Sequence, residues 1–450
     1  MSSSKPPKGL LGRSRRLIQM SSQVVLKEVG NQLTHKLSQA EETRQKAIQI
    51  KNQIEQAHII VKQLRHLRGA AMKVGQWMSL EGKDYFPPEV IRVLETLHDQ
   101  SITMKWEDTE KILKKEWGSL FKEVQELSHK PIAAASIGQV HQGKINNEQV
   151  AIKVQFPGIS ESIHSDLKIL KKTFGVLIRF TKKNIEMDSV FEELQNVLIQ
   201  EVDYEHEAQS LKKYREFAQE LEGVRVPLVF EQFSTRHVLT MSFEKGIRIS
   251  DWMKQSPSHE DRVRYADRFL RLYLREFCSW GFVQTDPNPG NFFIDLEKDE
   301  LVCLDLGAIK TYDSGFRGKY GHLVEAALNQ DLKALRVSAL ELGLLDERES
   351  VEAFELLFEI VSSAVLPLNQ NQFDYKDSSY PDRLQKLLRK FIQVLEYSPP
   401  PKLLIFLHRK LGGIYQILKT LEVTMDTSVY VKLFFEYLEE STDQKYIIKE

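Results

Sequence analysis

The chain has 450 residues, with 62 Lys and Arg against 63 Asp and Glu and a net charge of −1. That balance excludes a global basic field of the kind that gathers nucleic acid. A hydrophobic content of 42% supplies the core of two or three domains, or of one two-lobed enzyme with extensions. The two cysteines, Cys278 and Cys303, lie in apolar runs and read as buried thiols, and no Cys-x-x-Cys spacing marks a structural zinc.

In chain order, residues 1–9 are rich in Ser, Pro and Lys and read as disordered. The N-terminus is basic (Lys5, Lys8, Arg13, Arg15, Arg16) and lacks the apolar run of a signal peptide. Residues 10–66 have helical periodicity. Leu17, Val24, Val25 and Leu26 beside the arginines give a face that packs on its own protein or rests on anionic lipid. In residues 68–82, Gly69, Ala70, Ala71 and Gly75 permit close approach of another element, and Lys73 and Gln76 share one helix face. Pro87-Pro88 marks a turn, with helices expected over 89–97 and 106–116.

At residue 131 the texture changes to small residues and β-formers. Gly138–Lys144 and Gln149–Gln155 read as strands joined by the hairpin signal Asn146-Asn147. Lys153 ends the apolar run Val150-Ala151-Ile152, the pattern in which a strand aims a lysine at nucleotide phosphates. Where a glycine-rich loop is expected upstream stand Ala133, Ala134, Ala135 and Ser136, which predicts a stiffer or partly helical loop. Residues 160–216 return to helix, with acids at Glu201, Asp203, Glu205 and Glu207; Glu207 or Glu201 suits Lys153 as ion-pair partner. Residues 226–230 and 237–243 read as strands and Glu244-Lys245-Gly246 as a hinge, which makes Met241 to Phe243 the candidate adenine-binding backbone. A helix over 259–280 follows.

The stretch Gly281–Ile309 reads as a turn, two short strands and a loop. Asp286 precedes Asn291 by five residues and Asp305-Leu-Gly by 19. An Asp near the nucleophile, with an Asn and a second Asp on Mg²⁺, is the set used in protein-kinase-like sites. ATP needs Mg²⁺ across its phosphates, and Mg²⁺ needs hard oxygen ligands. Residues 311–450 read as mostly helical, with a polar break at 369–381. No run of about 18 uninterrupted apolar residues exists, so no membrane-spanning helix is expected. The nearest candidate, 403–421, is broken by His408, Arg409 and Lys410.

In this order the parts define an α+β, bilobal protein-kinase-like fold, and the chain resembles the UbiB (AarF) family of atypical kinases over roughly residues 60–340. Lys73-Val-Gly-Gln76 matches the family's Lys-x-Gly-Gln motif, Ala133 to Ser136 its alanine-rich nucleotide loop, and Glu201-Val-Asp203 its Glu-x-Asp motif. The resemblance implies that Glu207 pairs with Lys153, that the Lys73–Gln76 helix covers the site, and that Glu201 and Asp203 lie near it. It further implies ATP and Mg²⁺ as cofactors, Asp286 and Lys153 as catalytic residues, Asn291 and Asp305 as metal ligands, and a lipid or quinone precursor as ligand. The family's usual His-x-Asp is Gln284-Thr285-Asp286 here, and Leu306 follows Asp305 where kinases place Phe. The expected organisation is a tail over 1–9, a helical extension over 10–125, a small lobe over 126–245 and a helical lobe over 246–450. The expected location is cytoplasmic, with attachment to the periphery of a membrane left open.

Overall fold

The structure, a computed structural model, describes residues 51, 54, 55, 57–59, 61, 91–93, 103–135, 137–178, 195, 198–286, 288–377, 379–398, 402–442 and 446. Lys73, Gln76, Ser136 and the periodic segment before residue 51 lie outside the described residues. The chain divides into two compact units: Met1–Ala208 with Val229–Phe243, and Gln209–Leu228 with Glu244–Glu450.

The first unit opens its fully described part with α1, Trp106–Trp117. Thr109, Leu113 and Trp117 recur every four residues and are its buried face. Acids in the first turn and lysines in the last complement the helix dipole, and Gly118 ends it at φ 53°. A four-stranded antiparallel sheet follows in the order β1 (Ala133–Ala134), β2 (Gly138–Ile145), β3 (Glu148–Gln155) and, after a long excursion, β5 (Val238–Ser242). The excursion carries α2 (Ile159–Ile178), α3 (Tyr204–Ala218) and β4 (Val224–Arg225). Asn146 and Asn147 both have positive φ, 49° and 68°, so the β2–β3 connection is the two-residue turn that Asn-Asn favours. Its register sets Val140 opposite Lys153, and Lys153 opposite Leu239 on the other side.

Two local expectations come out differently. Of the two forms expected of the alanine loop, the helical one is not taken over Ala133 to Ala135, where Ala133 and Ala134 are extended and pair with Val140 and Gln139. Residues 226–230 form no strand; the segment makes only an isolated bridge from Val229 to Met241. Pro227 has no N–H for a ladder, which explains the interruption.

The second unit holds a sheet in the order β4, β9 (Glu300–Cys303), β8 (Phe292–Asp295) and β6 (Ile247–Arg248). Arg225, on β4, ties it together, with Nε 2.8 Å from Glu244, Nη2 2.5 Å from Asp295, and a further bond to Glu300. A separate ribbon pairs β7 (Phe282–Gln284) with β10 (Ile309–Thr311). The short α4 (Ile249–Met253) precedes α5 (His259–Leu274). The helix expected to run to residue 280 changes character at Arg275, where Arg275–Trp280 is a π-helical turn closed by Gly281 at φ 56°. A Cβ on Gly281 would lie 2.3 Å from the Tyr312 carbonyl oxygen, so glycine is required there on both counts.

The remainder is helical: α6 (Ser314–Leu328), α7 (Leu332–Glu341), α8 (Val351–Val365), α9 (Ser379–Val394), α10 (Lys402–Thr420) and α11 (Ser428–Thr442). Leu323, Ala327, Leu335, Ala339, Phe354 and Leu357 from α6 to α8 form one buried core. The polar break contributes Phe373–Asp374, paired with Thr424–Met425. Among the described residues no helix is long and apolar enough to cross a membrane. Cys278 and Cys303 are free and buried.

Candidate active site

Lys153 sits on the central strand β3, whose last six residues are all buried. A lone ammonium at such a place is costly, and its compensation is Glu207 on α3. Lys153 Nζ donates to both Glu207 oxygens, at 2.8 and 2.9 Å, and the side chains are 10% and 2% exposed. Nζ also lies 5.1 Å from the centre of the Tyr204 ring. Gly138 is needed beneath this arrangement: a Cβ there would meet the Val154 carbonyl oxygen at 2.4 Å and the Tyr204 hydroxyl at 3.0 Å.

Glu207 is positioned by the start of its helix. Asp203 accepts the His206 N–H at 2.9 Å, an N-terminal capping bond. Gln155 fixes the preceding turn by donating to the Val202 carbonyl at 2.6 Å. Glu201 is half-buried and Asp203 exposed, so neither shares the burial of Glu207. At the other side of β3, Met241 is buried and the Phe243 N–H donates to Gln149 O at 2.9 Å. The Phe243 amide is therefore engaged within the sheet.

In the second unit the β7–β10 ribbon brings the two aspartate loops together. Gln284 pairs with Ile309, and Thr285 donates its N–H and its hydroxyl to Ala308 O at 2.8 and 3.0 Å. The Asp-Pro-Asn-Pro-Gly-Asn turn is held by Asn288, whose side chain accepts the Gly290 N–H at 2.9 Å. Pro289–Asn291 is a single 3₁₀ turn. Asn291 donates from Nδ2 to the Asp286 carbonyl at 3.2 Å and to its carboxylate at 3.3 Å, while its own carbonyl accepts from Leu304 N at 2.8 Å. That last bond places Asn291 beside Asp305. Asp305 accepts the Gly307 N–H at 3.0 Å, and Leu306 is buried.

The donor set fits a hard cation. With Nδ2 turned to Asp286, Asn291 keeps its amide oxygen as an acceptor, and Asp305 adds a carboxylate; magnesium takes such oxygens, completing its shell with phosphate and water. Among the described residues no cluster of three or more His, Cys, Asp and Glu groups is built to hold a metal by itself. A nucleotide-dependent Mg²⁺ site requires none.

Two residues that were not candidates from the sequence also meet this loop. Arg409 and Lys410 are neighbours on α10. Arg409 Nη2 lies 3.9 Å from the Asp286 carboxylate. Lys410, 1% exposed, lies 2.9 Å from Glu276, a residue of the π-helical turn, and donates to Gln284 Oε1 at 3.1 Å. Tyr214 donates its hydroxyl to Glu276 at 2.7 Å. Burial first, and then the Glu276 carboxylate, raises the Tyr214 phenol well above its usual range and the Cys303 thiol to about 12. Both groups stay protonated around Glu276.

A buried Lys–Glu pair between a central strand and a helix, with Asp-x₄-Asn and Asp-Leu-Gly loops joined by a ribbon, defines a protein of the kinase-like class. A family model described as the ABC1 atypical kinase-like domain matches residues 96–339, and the chain belongs to that family, the UbiB atypical kinases. It is 33% identical over 375 residues to "Atypical kinase COQ8B, mitochondrial" of Danio rerio, covering 81% of this chain and 58% of that protein. The Rattus norvegicus COQ8B is 32% identical over 372 residues, 80% of this chain and 68% of the relative. The Saccharomyces cerevisiae COQ8 is 28% identical, over 84% and 76%. The chain spans 58% of the zebrafish relative's length and 49% of that of the Caenorhabditis elegans relative, "Atypical kinase coq-8, mitochondrial". Among solved structures, the Rv3197–erythromycin complex from Mycobacterium tuberculosis matches with a TM-score of 0.58 at 23% identity, over 88% of this chain and 98% of that one. At that identity the likeness is one of fold.

Proposed function

We propose that the chain binds ATP with Mg²⁺ and hydrolyses it, or transfers its terminal phosphoryl group to a small or lipid-like molecule, in support of ubiquinone or other isoprenoid-lipid metabolism. The observation that carries this reading is the buried Lys153–Glu207 pair. A fold keeps an oriented ammonium on a central strand where nucleotide phosphates are to be met. In this reading Lys153 orients the α- and β-phosphates, and Ala133 to Ser136 with the Met241–Phe243 segment border the nucleotide. Asn291 and Asp305 hold the metal, and Asp286 orients the attacking hydroxyl or water. The bound metal would neutralise charge on the β- and γ-phosphates. Lys73, Gln76, Glu201 and Asp203 take the gating role that the family motif implies. Catalysis is then positioning and charge stabilisation.

The short path after Asp305 argues against a peptide substrate. The strand β10 ends at Thr311 and α6 begins at Ser314, with Asp313 as its cap, 2.8 Å from Phe316 N. Residues 306–313 leave little chain for the activation segment on which a kinase seats a peptide. Binding to a membrane surface is part of this reading. Curated relatives carry mitochondrial and chloroplastic names; flotation on anionic vesicles would test surface binding.

The decisive experiment measures Mg²⁺-dependent ATP turnover in wild type and Asp305→Asn, with and without detergent-solubilised phenols or anionic lipid, beside generic peptide labelling. Turnover lost in the variant, raised by lipid or phenol and unaccompanied by peptide labelling, is the expected result. Wild-type turnover in Asp305→Asn defeats the assignment. Nucleotide binding with no turnover would instead favour a scaffold.

A further inference from the structure

We propose that Lys410, on α10, is a positioning residue for the two aspartate loops and acts through the amide of Gln284; this rests on the ATP and Mg²⁺ reading above. Gln284 is 2% exposed. Its Oε1 accepts from Lys410, and its Nε2 donates to the Asp286 carbonyl and, at 3.5 Å, to the Asp305 carbonyl. One side chain therefore bridges the backbone of both residues assigned to the reaction.

Lys410 fixes which way that amide points. An ammonium only donates, so the oxygen of Gln284 must face it and the NH₂ group must face the two carbonyls. Without the ammonium the amide has no such instruction, and its flipped form would set an oxygen against two carbonyl oxygens. Lys410 is in turn held by Glu276, with Nζ 2.9 Å from one oxygen and 3.2 Å from the other. Glu276 Oε1 also accepts the Tyr214 hydroxyl at 2.7 Å and the Gln284 backbone N–H at 3.2 Å. The π-helical turn carries this carboxylate, and such turns recur at functional sites. Lys410, Glu276 and Gln284 are 1%, 0% and 2% exposed. A buried ion pair is weak evidence for stability alone. This one ends on the loop amide that joins the metal and nucleophile segments.

The test uses the full chain and two readouts. One is the Mn²⁺ concentration that half-saturates the ADP-dependent rise in melting temperature. The other is ATP turnover with its KM. Lys410→Met leaves Glu276 without its cation and can fail to fold, so Lys410→Met with Glu276→Gln is the working variant. It is expected to stay folded with a cooperative metal-free transition, lowered by no more than the loss of one buried hydrogen bond, to keep its KM for ATP, to need about 10- to 100-fold more Mn²⁺, and to lose turnover by a similar factor, the usual effect of removing a group that orients metal ligands. Adding Gln284→Met should then cost nothing more, because both changes break one path. Unchanged Mn²⁺ demand and turnover in the working variant overturn the proposal, as do losses that multiply with those of Gln284→Met. If wild type shows no shift with ADP and metal, the ATP reading fails and takes this inference with it. A normal wild-type shift beside an unaffected variant sinks the inference alone.

Discussion

Removing one member of the Lys153–Glu207 pair takes away a strong attraction at a place where little water is available to replace it. The two side chains are 10% and 2% exposed. Glu207→Ala should therefore destabilise the folded protein by up to about 3–5 kcal/mol, the cost of breaking a buried ion pair on one side only. It should also abolish the rise in melting temperature given by nucleotide. Urea unfolding with a thermal shift assay reads both, and a variant that keeps wild-type stability and nucleotide response would show the pair to be incidental. From the residues alone, either Glu207 or Glu201 suited Lys153, and the family motif selected Glu207. Lys410 was hidden for a physical reason. In residues 403–421 the charged positions read only as breaks in an apolar run, whereas Lys410 is the buried group of α10 that meets Glu276 and Gln284. Such a partner lies over a hundred residues from its lysine, and spacing carries no sign of it.

Short elements separate what periodicity reveals from what it conceals. The β2–β3 hairpin was readable because alternation and Asn-Asn both point to it. The apolar run 226–230 suggests a strand by content, but Pro227 lacks the N–H a ladder needs. The π-helical turn was invisible because it shifts the ladder without changing composition. The β8–β9 hairpin offers a test at this scale. Its turn residue Asp299, at φ 52°, accepts from Arg268 Nη2 at 2.8 Å and from the Tyr265 hydroxyl at 3.0 Å, both on α5. The Arg268 hydrogen bonds foremost, with Tyr265 and Arg264 adding to them, hold its carboxyl down at about 2. A carboxyl whose folded value is depressed stabilises above its unfolded value of about 3.9, and that contribution fades as pH falls towards the folded value. Asp299→Asn keeps a residue that tolerates positive φ and removes the charge. With Asp299 46% exposed, the stability gap should be no more than about 1 kcal/mol at neutral pH. Urea midpoints of the two proteins should differ by a constant amount above about pH 5 and converge below about pH 4. A gap that widens in acid contradicts the assignment.

At the scale of the whole chain, the residues assigned to one nucleotide divide between two compact units. Lys153 and Glu207 belong to the first, and Asp286, Asn291 and Asp305 to the second. Chains of several units need not unfold in one step, so two thermal transitions are a natural expectation. A ligand stabilises only what binds it, by about 2.7 kcal/mol at a hundredfold excess over its dissociation constant. If Lys153 and Asp305 serve the same Mg-nucleotide, that ligand should raise both transitions, or merge them into one that moves upward. Asp305→Asn should then weaken the response of the first unit, although the substitution lies in the second, because the ligand is the link. Calorimetric scans with and without Mg²⁺ and ADP would read this directly. A nucleotide that raises one transition and leaves the other unmoved would confine the binding residues to a single unit, and the division of roles between Lys153 and Asp305 would have to be abandoned.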